Sequence, residues 1–271
     1  VVAHGPQARG SDGGRDPRRA TTAATRRVSP AQVHLLFELL AYALGFQLFL
    51  HQRRRYPSTA ALGRSAHLAL LAGAILGAAL GARLSWWLQD PQLAFADFPN
   101  AMNLMRGKSI LGGLLGGVAG VELAKARIGL RESTGDAFVW PILLALAVGR
   151  IGCHLAGVSD HTAGLPTAAP FAFDYGDGVP RHPTALYEIA FLLACGGVIA
   201  LLAPRLRERG DRFRLLMFGY CAWRLYVESL KPAPLLYPPG LSGLQWLAIA
   251  GLLYYLRSIP RIARHLLEAR P

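Results

Sequence analysis

From residue 33 onward the chain alternates long apolar runs with short polar loops rich in arginine. Seven runs stand out, over roughly 33–50, 66–88, 109–125, 134–156, 184–203, 213–230 and 241–257. Each approaches the ~20 apolar residues a helix needs to cross a hydrocarbon core of about 30 Å. The expected fold is therefore an all-α integral membrane protein with seven transmembrane helices. The run at 109–125 is short and laden with glycine. Between 157 and 183 lies a long loop of Gly, Pro, Asp and aromatic residues. It is expected to hold a short strand or partial helix at the membrane surface, and loops longer than ~12–15 residues are often functional. Residues 1–28 have no apolar period and are rich in Gly, Arg, Ala, Thr and Pro. They read as a disordered leader, with no apolar core of the kind that precedes a signal-peptide cleavage site. The chain opens without Met, so the start of this leader is expected to be non-native.

Composition agrees with this pattern. Of the 271 residues, 52% are hydrophobic and 17% charged, and the mean hydropathy is +0.30. A soluble domain carries more charge, so residues 29–271 read as one membrane domain. The formal charge of +13 invites a nucleic-acid partner. That reading fails because the basic residues sit in loops between apolar runs and form no groove-sized stripe. Their distribution is informative in another way. Alternate loops and the tail hold Arg53, Arg54, Arg55 and Arg64; Lys125, Arg127 and Arg131; Arg205, Arg207, Arg209, Arg212 and Arg214; and Arg257, Arg261, Arg264 and Arg270. The opposite loops hold only Arg106, Lys108, Arg181 and Lys231. The positive-inside rule then puts the N-terminus outside and the C-terminus in the cytoplasm. The six arginines of the leader oppose this and are set aside with it. Cys153, Cys195 and Cys221 are odd in number and lack CxxC spacing, which argues against a disulfide framework or a zinc site. No metal or cofactor is implied.

Ionisable groups inside membrane helices are costly and mark function. Arg83 closes a run in GARLSWW, where snorkelling beside Trp86 and Trp87 is an equal explanation. Arg150 lies in AVGRIGCHLAG without a local partner, so it needs a carboxylate or an anionic ligand from elsewhere. Glu188 lies in RHPTALYE. Arg224 and Glu228, four apart, can form an intrahelical ion pair, and His34 and Glu38 likewise share a helix face. The glycine run around Gly112 and Gly113 fits either close helix packing or a gap where a lipid headgroup meets backbone N–H groups. By topology Arg150, His182, Lys231 and the 157–183 loop lie toward the outer side. Arginine forks suit phosphate oxygens. The residues thus point to an intramembrane phosphate site for an anionic phospholipid, open to the extracytoplasmic leaflet.

GRIGCHLAG, then RHPTALYE, then WRLYVESLK resemble the successive motifs of the prolipoprotein diacylglyceryl transferase family. GKSILGGLLGG is similar to that family's HGG-containing helix and GARL to the end of its second helix, over residues 33–258 in all. The resemblance implies a seven-helix enzyme of the bacterial inner membrane. Such an enzyme moves diacylglycerol from phosphatidylglycerol to the lipobox cysteine of a preprolipoprotein, giving a thioether and releasing glycerol 1-phosphate. Carried over by position, Arg150 and Arg224 bind the phosphate, Glu228 orients Arg224, and His182 and Tyr187 shape the site. Arg83, Gly112, Gly113 and Lys231 join the substrate-binding set. The pattern departs at Cys153, where the family has Asn, at Val158, where it has Glu, at Leu111, where it has His, and at Lys231, where it has Arg. His154 or His161 could restore a proton acceptor. Two other readings stay open: a paralogue acting on another acceptor, and a non-catalytic lipid-binding membrane protein.

Overall fold

A computed structural model describes residues 29–56, 62–96, 107–160 and 162–268. The expected leader at 1–28, Arg106, His161 and Arg270 lie outside these residues. Each of the seven apolar runs coincides with a helix. These are α1 (Pro30–Gln52), α2 (Arg64–Gln89), α3 (Ile110–Ile128), α4 (Val139–Ala156), α5 (Thr184–Leu202), α6 (Asp211–Val227) and α7 (Gly243–Leu256). Besides a single short turn of helix at Pro91–Phe95, a further helix, α8 (Ile259–Glu268), was not expected. It has no long apolar run, only a stripe of Ile259, Ile262, Ala263 and Leu266 at helical spacing, of which Ile262 is buried.

Helix ends depart from the apolar runs where capping chemistry overrides hydropathy. Helix α1 starts three residues early because Ser29 and Gln32 close a capping box. The Ser29 N–H donates to Gln32 Oε1 at 2.8 Å and the Gln32 N–H donates to Ser29 Oγ at 3.3 Å, with Pro30 in the first turn. Helix α3 runs past the expected residue 125 until Gly129, at φ 71°, can take the left-handed conformation that ends it. Lys125, expected in a loop, is therefore buried in the last turn, with Nζ 2.9 Å from Glu122 Oε1. Helix α6 is capped from outside its own segment. The Asp136 carboxylate accepts from the N–H groups of Gly210 at 2.7 Å and Phe213 at 3.1 Å. The long loop holds both expected features, a short 3-10 turn at Gly157–Asp160 and a two-stranded hairpin pairing Phe173–Asp174 with Pro180–Arg181.

Packed helices run antiparallel in pairs, α2 on α3, α1 on α4, α4 on α5 and α6 on α7. The closest contact is between α2 and α3. Gly73, Gly77 and Gly81 on one helix face Gly120, Gly116 and Gly112 on the other. A Cβ on Gly77 would sit 2.2 Å from the Gly116 carbonyl oxygen, and one on Gly120 would sit 2.0 Å from that of Gly73. Only glycine lets the two backbones touch here. A core of Leu111, Val139, Leu143, Leu192, Ile199, Leu216 and Tyr220 joins α3 through α6.

Polarity is inverted relative to a water-soluble bundle. Leu201 is 78% exposed and Leu193 68%, while Glu188 is fully buried. Apolar area on this scale is not left open to water. Four helical segments among the described residues, Pro30–Gln52, Arg64–Gln89, Gly135–Ser159 and Thr184–Arg205, are long and apolar enough to cross a membrane. The protein is a mostly helical, multi-pass membrane protein.

Candidate active site

The alternating helix directions bring the C-terminal ends of α4 and α6 beside the N-terminal end of α5. Arg150 lies two turns from the end of α4, Glu188 one turn into α5, and Arg224 in the last turn of α6. All three are buried. Glu188 is the hub. Its Oε2 lies 2.9 Å from Arg150 Nε and 3.5 Å from Arg224 Nη1, and its Oε1 accepts from the Tyr220 hydroxyl at 2.8 Å. Arg224 also pairs with Glu228 one turn on, the expected intrahelical pair. Lys231 extends the group, with Nζ 3.9 Å from Glu228 Oε1. Cys153, one turn from Arg150, places its sulfur 3.6 Å from Arg150 Nη1. So the structure draws Arg150, Arg224, Glu228 and Lys231 into one cluster.

Arg150 thus has the partner it lacked locally. Glu188 stands out in the sequence as a charge inside an apolar run. Its role does not, because its partners lie 38 and 36 positions away in the chain. Tyr220 carried no signal at all, since a tyrosine in an apolar run is ordinary core.

The other expected site residues lie around this cluster. His182 and Tyr187 face each other, with His182 Nδ1 3.2 Å from the Tyr187 hydroxyl. His154 stands 3.4 Å from the Tyr175 hydroxyl through Nδ1 and packs against Phe173, which brings the loop hairpin down onto the end of α4. Burial, with Tyr187 nearby, holds the Tyr175 hydroxyl above its ordinary pKa, so it keeps its proton. The loop is pinned across the end of α6, where the Leu165 N–H donates to the Leu230 carbonyl at 2.8 Å and the His182 N–H to that of Leu165 at 3.1 Å. Gly164 is needed at this crossing, because a Cβ there would come within 2.6 Å of His182.

Arg83 belongs to a neighbouring arrangement. It donates to the Gly107 carbonyl and ties the end of α2 to the lead into α3. Gly112 sits in the α2–α3 seam, where a Cβ would meet Ser85 Oγ at 1.8 Å. Gly113 has more room, with its nearest such neighbours at 3.7 Å. His34 Nε2 lies 3.7 Å from Glu38 Oε2, and Lys108 also pairs with Glu38, linking α1 to the start of α3.

Two buried arginines thus converge on the Glu188 carboxylate, with Lys231 beside them. The model of the prolipoprotein diacylglyceryl transferase family matches residues 28–258. The chain belongs to that family. A phosphatidylglycerol–prolipoprotein diacylglyceryl transferase of Bordetella parapertussis is 32% identical over 240 residues, covering 82% of this chain and 88% of the relative. One from Nitrosomonas europaea is 31% identical over 208 residues, covering 71% of each. One from Bordetella avium is 26% identical, covering 88% of this chain and 95% of the relative. Within this transferase family, the matched segment contains every residue of the Glu188 cluster.

Proposed function

We propose that this chain transfers the diacylglyceryl group of phosphatidylglycerol to the lipobox cysteine of a prolipoprotein. In this reading it crosses the bacterial inner membrane seven times, with the N-terminus outside, so that the Arg150 cluster serves the outer leaflet. The observation that carries the reading is the convergence of Arg150 and Arg224 on the single carboxylate of Glu188. Charge accounting supports it. With Lys231 protonated, three cations face the two carboxylates of Glu188 and Glu228, which leaves one unit of charge for one phosphodiester.

In the reaction the cysteine sulfur bonds to the glyceryl carbon and the carbon–oxygen bond to phosphate breaks. The departing oxygen takes the electron pair, and the thiol proton passes to a base. Arg150 and Arg224 are held in place to stabilise the charge that grows on the leaving phosphate. The thiolate is the effective nucleophile, and the reading gives His182 or His154 its proton. The test uses purified full-length protein with labelled phosphatidylglycerol and a lipobox peptide. Thioether peptide and glycerol phosphate in equal amounts are the expected products. Neither product, where an authentic transferase makes both, would sink the proposal. Phospholipid turnover without modified peptide would point to another acceptor.

Lys231 makes the site pH-dependent. Burial first, then the nearby Arg224 charge, pull its ammonium down to about 8, while Glu228 pulls the other way. A lysine with a lowered pKa is charged below that value and neutral above it. Affinity for the phosphodiester is therefore expected to be full below pH 8 and to fall as pH rises through 8. Lys231→Arg should flatten the profile, because guanidinium stays charged throughout. A wild-type profile level from pH 7 to 9.5 would remove Lys231 from phosphate binding.

A further inference from the structure

The far end of α6 holds a second polar site. A cavity of about 600 Å³ opens there among the ends of α3 and α7, the start of α6 and the 131–133 loop. It is separate from the Glu188 cluster, which begins at Tyr220, six residues beyond Arg214 along α6. Its wall includes Lys125, Arg131, Arg209, Arg214 and Arg257, facing Glu122, Glu132 and Glu208. These carboxylates are already engaged: Glu122 by Lys125, Glu132 by Arg209 and Glu208 by Arg261. Arg214 is engaged by Asp211 at 2.8 Å. Arg131 and Arg257 have no carboxylate partner among the described residues. Arg257 donates to the Tyr254 carbonyl at 2.8 Å and lies over the Tyr254 ring. A second observation is independent of charge. Tyr255 lines the same cavity at 4% exposure, and its buried hydroxyl has no hydrogen-bond partner among the described residues. A buried hydroxyl without a partner costs stability, and a ligand oxygen that shifts the cavity wall beside it would satisfy it.

We propose that this cavity binds a phosphate-bearing anion at the membrane face opposite the transfer site. Arg131 and Arg257 supply its charge and the Tyr255 hydroxyl a hydrogen bond. The same chemistry arises from the headgroup of an anionic phospholipid or from a soluble phosphate. Basic pockets between membrane helices suit such headgroups.

The experiment uses purified full-length protein and two probes. One is phosphatidylglycerol against phosphatidylcholine, counted as retained lipid by native mass spectrometry. The other is inorganic phosphate at constant ionic strength, read as a thermal shift. Arg131→Gln/Arg257→Gln is expected to lower phosphatidylglycerol affinity at one binding step by about tenfold. Tyr255→Phe, which removes only the unpartnered hydroxyl, is expected to keep the fold and weaken the same step about threefold. Loss of the lipid step assigns a lipid headgroup. Loss of the phosphate shift alone assigns a soluble phosphate. If neither variant differs from wild type with either probe, the site is overturned. These substitutions should leave transfer at the Glu188 end unchanged, so a failure here and a failure of the proposed reaction are read separately.

Discussion

Glu188→Gln is expected to destabilise the protein by roughly 3–5 kcal/mol, the range for removing one partner of a buried ion pair. Arg224 would keep Glu228, but Arg150, only 4% exposed, would lose its one carboxylate partner. Arg150→Gln is expected to act differently. Glu188 keeps Arg224 and the Tyr220 hydroxyl, so the fold survives. Transfer from phosphatidylglycerol should instead fall about 10²–10³-fold, as when a preorganised donor to a developing anion is lost. The double variant Arg150→Gln/Glu188→Gln decides between structural and chemical roles. It leaves Arg224 paired with Glu228, so it should be more stable than Glu188→Gln alone and still inactive. Unfolding in mixed micelles, with the transfer assay on the same samples, gives the full cycle. Wild-type stability in Glu188→Gln would mean that the cluster is not a compensated buried network.

The second large effect lies in the α2–α3 seam. Gly116→Ala and Gly117→Ala are neighbouring substitutions in one helix and gain the same intrinsic helix preference, about 1 kcal/mol. Their surroundings differ. The new Cβ at residue 116 would sit 2.3 Å from the Gly77 carbonyl oxygen and 2.8 Å from Gly81 Cα. At residue 117 its nearest neighbours, the Ala74 carbonyl oxygen and Ala78 Cβ, are both at 3.6 Å, an ordinary contact. Backbone cannot yield as a flexible side chain does, so Gly116→Ala must push the helices apart. It is expected to lose about 2–3 kcal/mol, the upper range for overpacking. Gly117→Ala should be neutral or slightly stabilising. Thermal unfolding in detergent compares the two, and equal effects would show that the seam tolerates separation.

Hydrophobic runs are local, and they carried the helices. The seven runs in the sequence coincide with α1 through α7. The pairing of Arg224 with Glu228 follows from a spacing of four on one helix face. The resemblance to the transferase motifs placed Arg150 and Arg224 together before any contact was visible.

What local pattern could not supply was the identity of partners distant in the chain. Ion pairs in low dielectric are chosen by which helix ends meet, and that depends on the packing of every helix between them. Arg150 therefore looked unpaired until α5 set Glu188 beside it. Lys125 looked like a loop cation until Gly129 was seen to end α3 three residues later. The glycine run looked open to two uses until Gly73, Gly77 and Gly81 filled one face of it. The tail beyond Arg257 showed no apolar run, although its narrow stripe suffices to fold α8. By itself the sequence determined a helical membrane protein with a few charges that its apolar interior had to neutralise. Only the tertiary structure decided that Glu188 neutralises two of them at once, because that carboxylate's partners are brought to it by antiparallel packing.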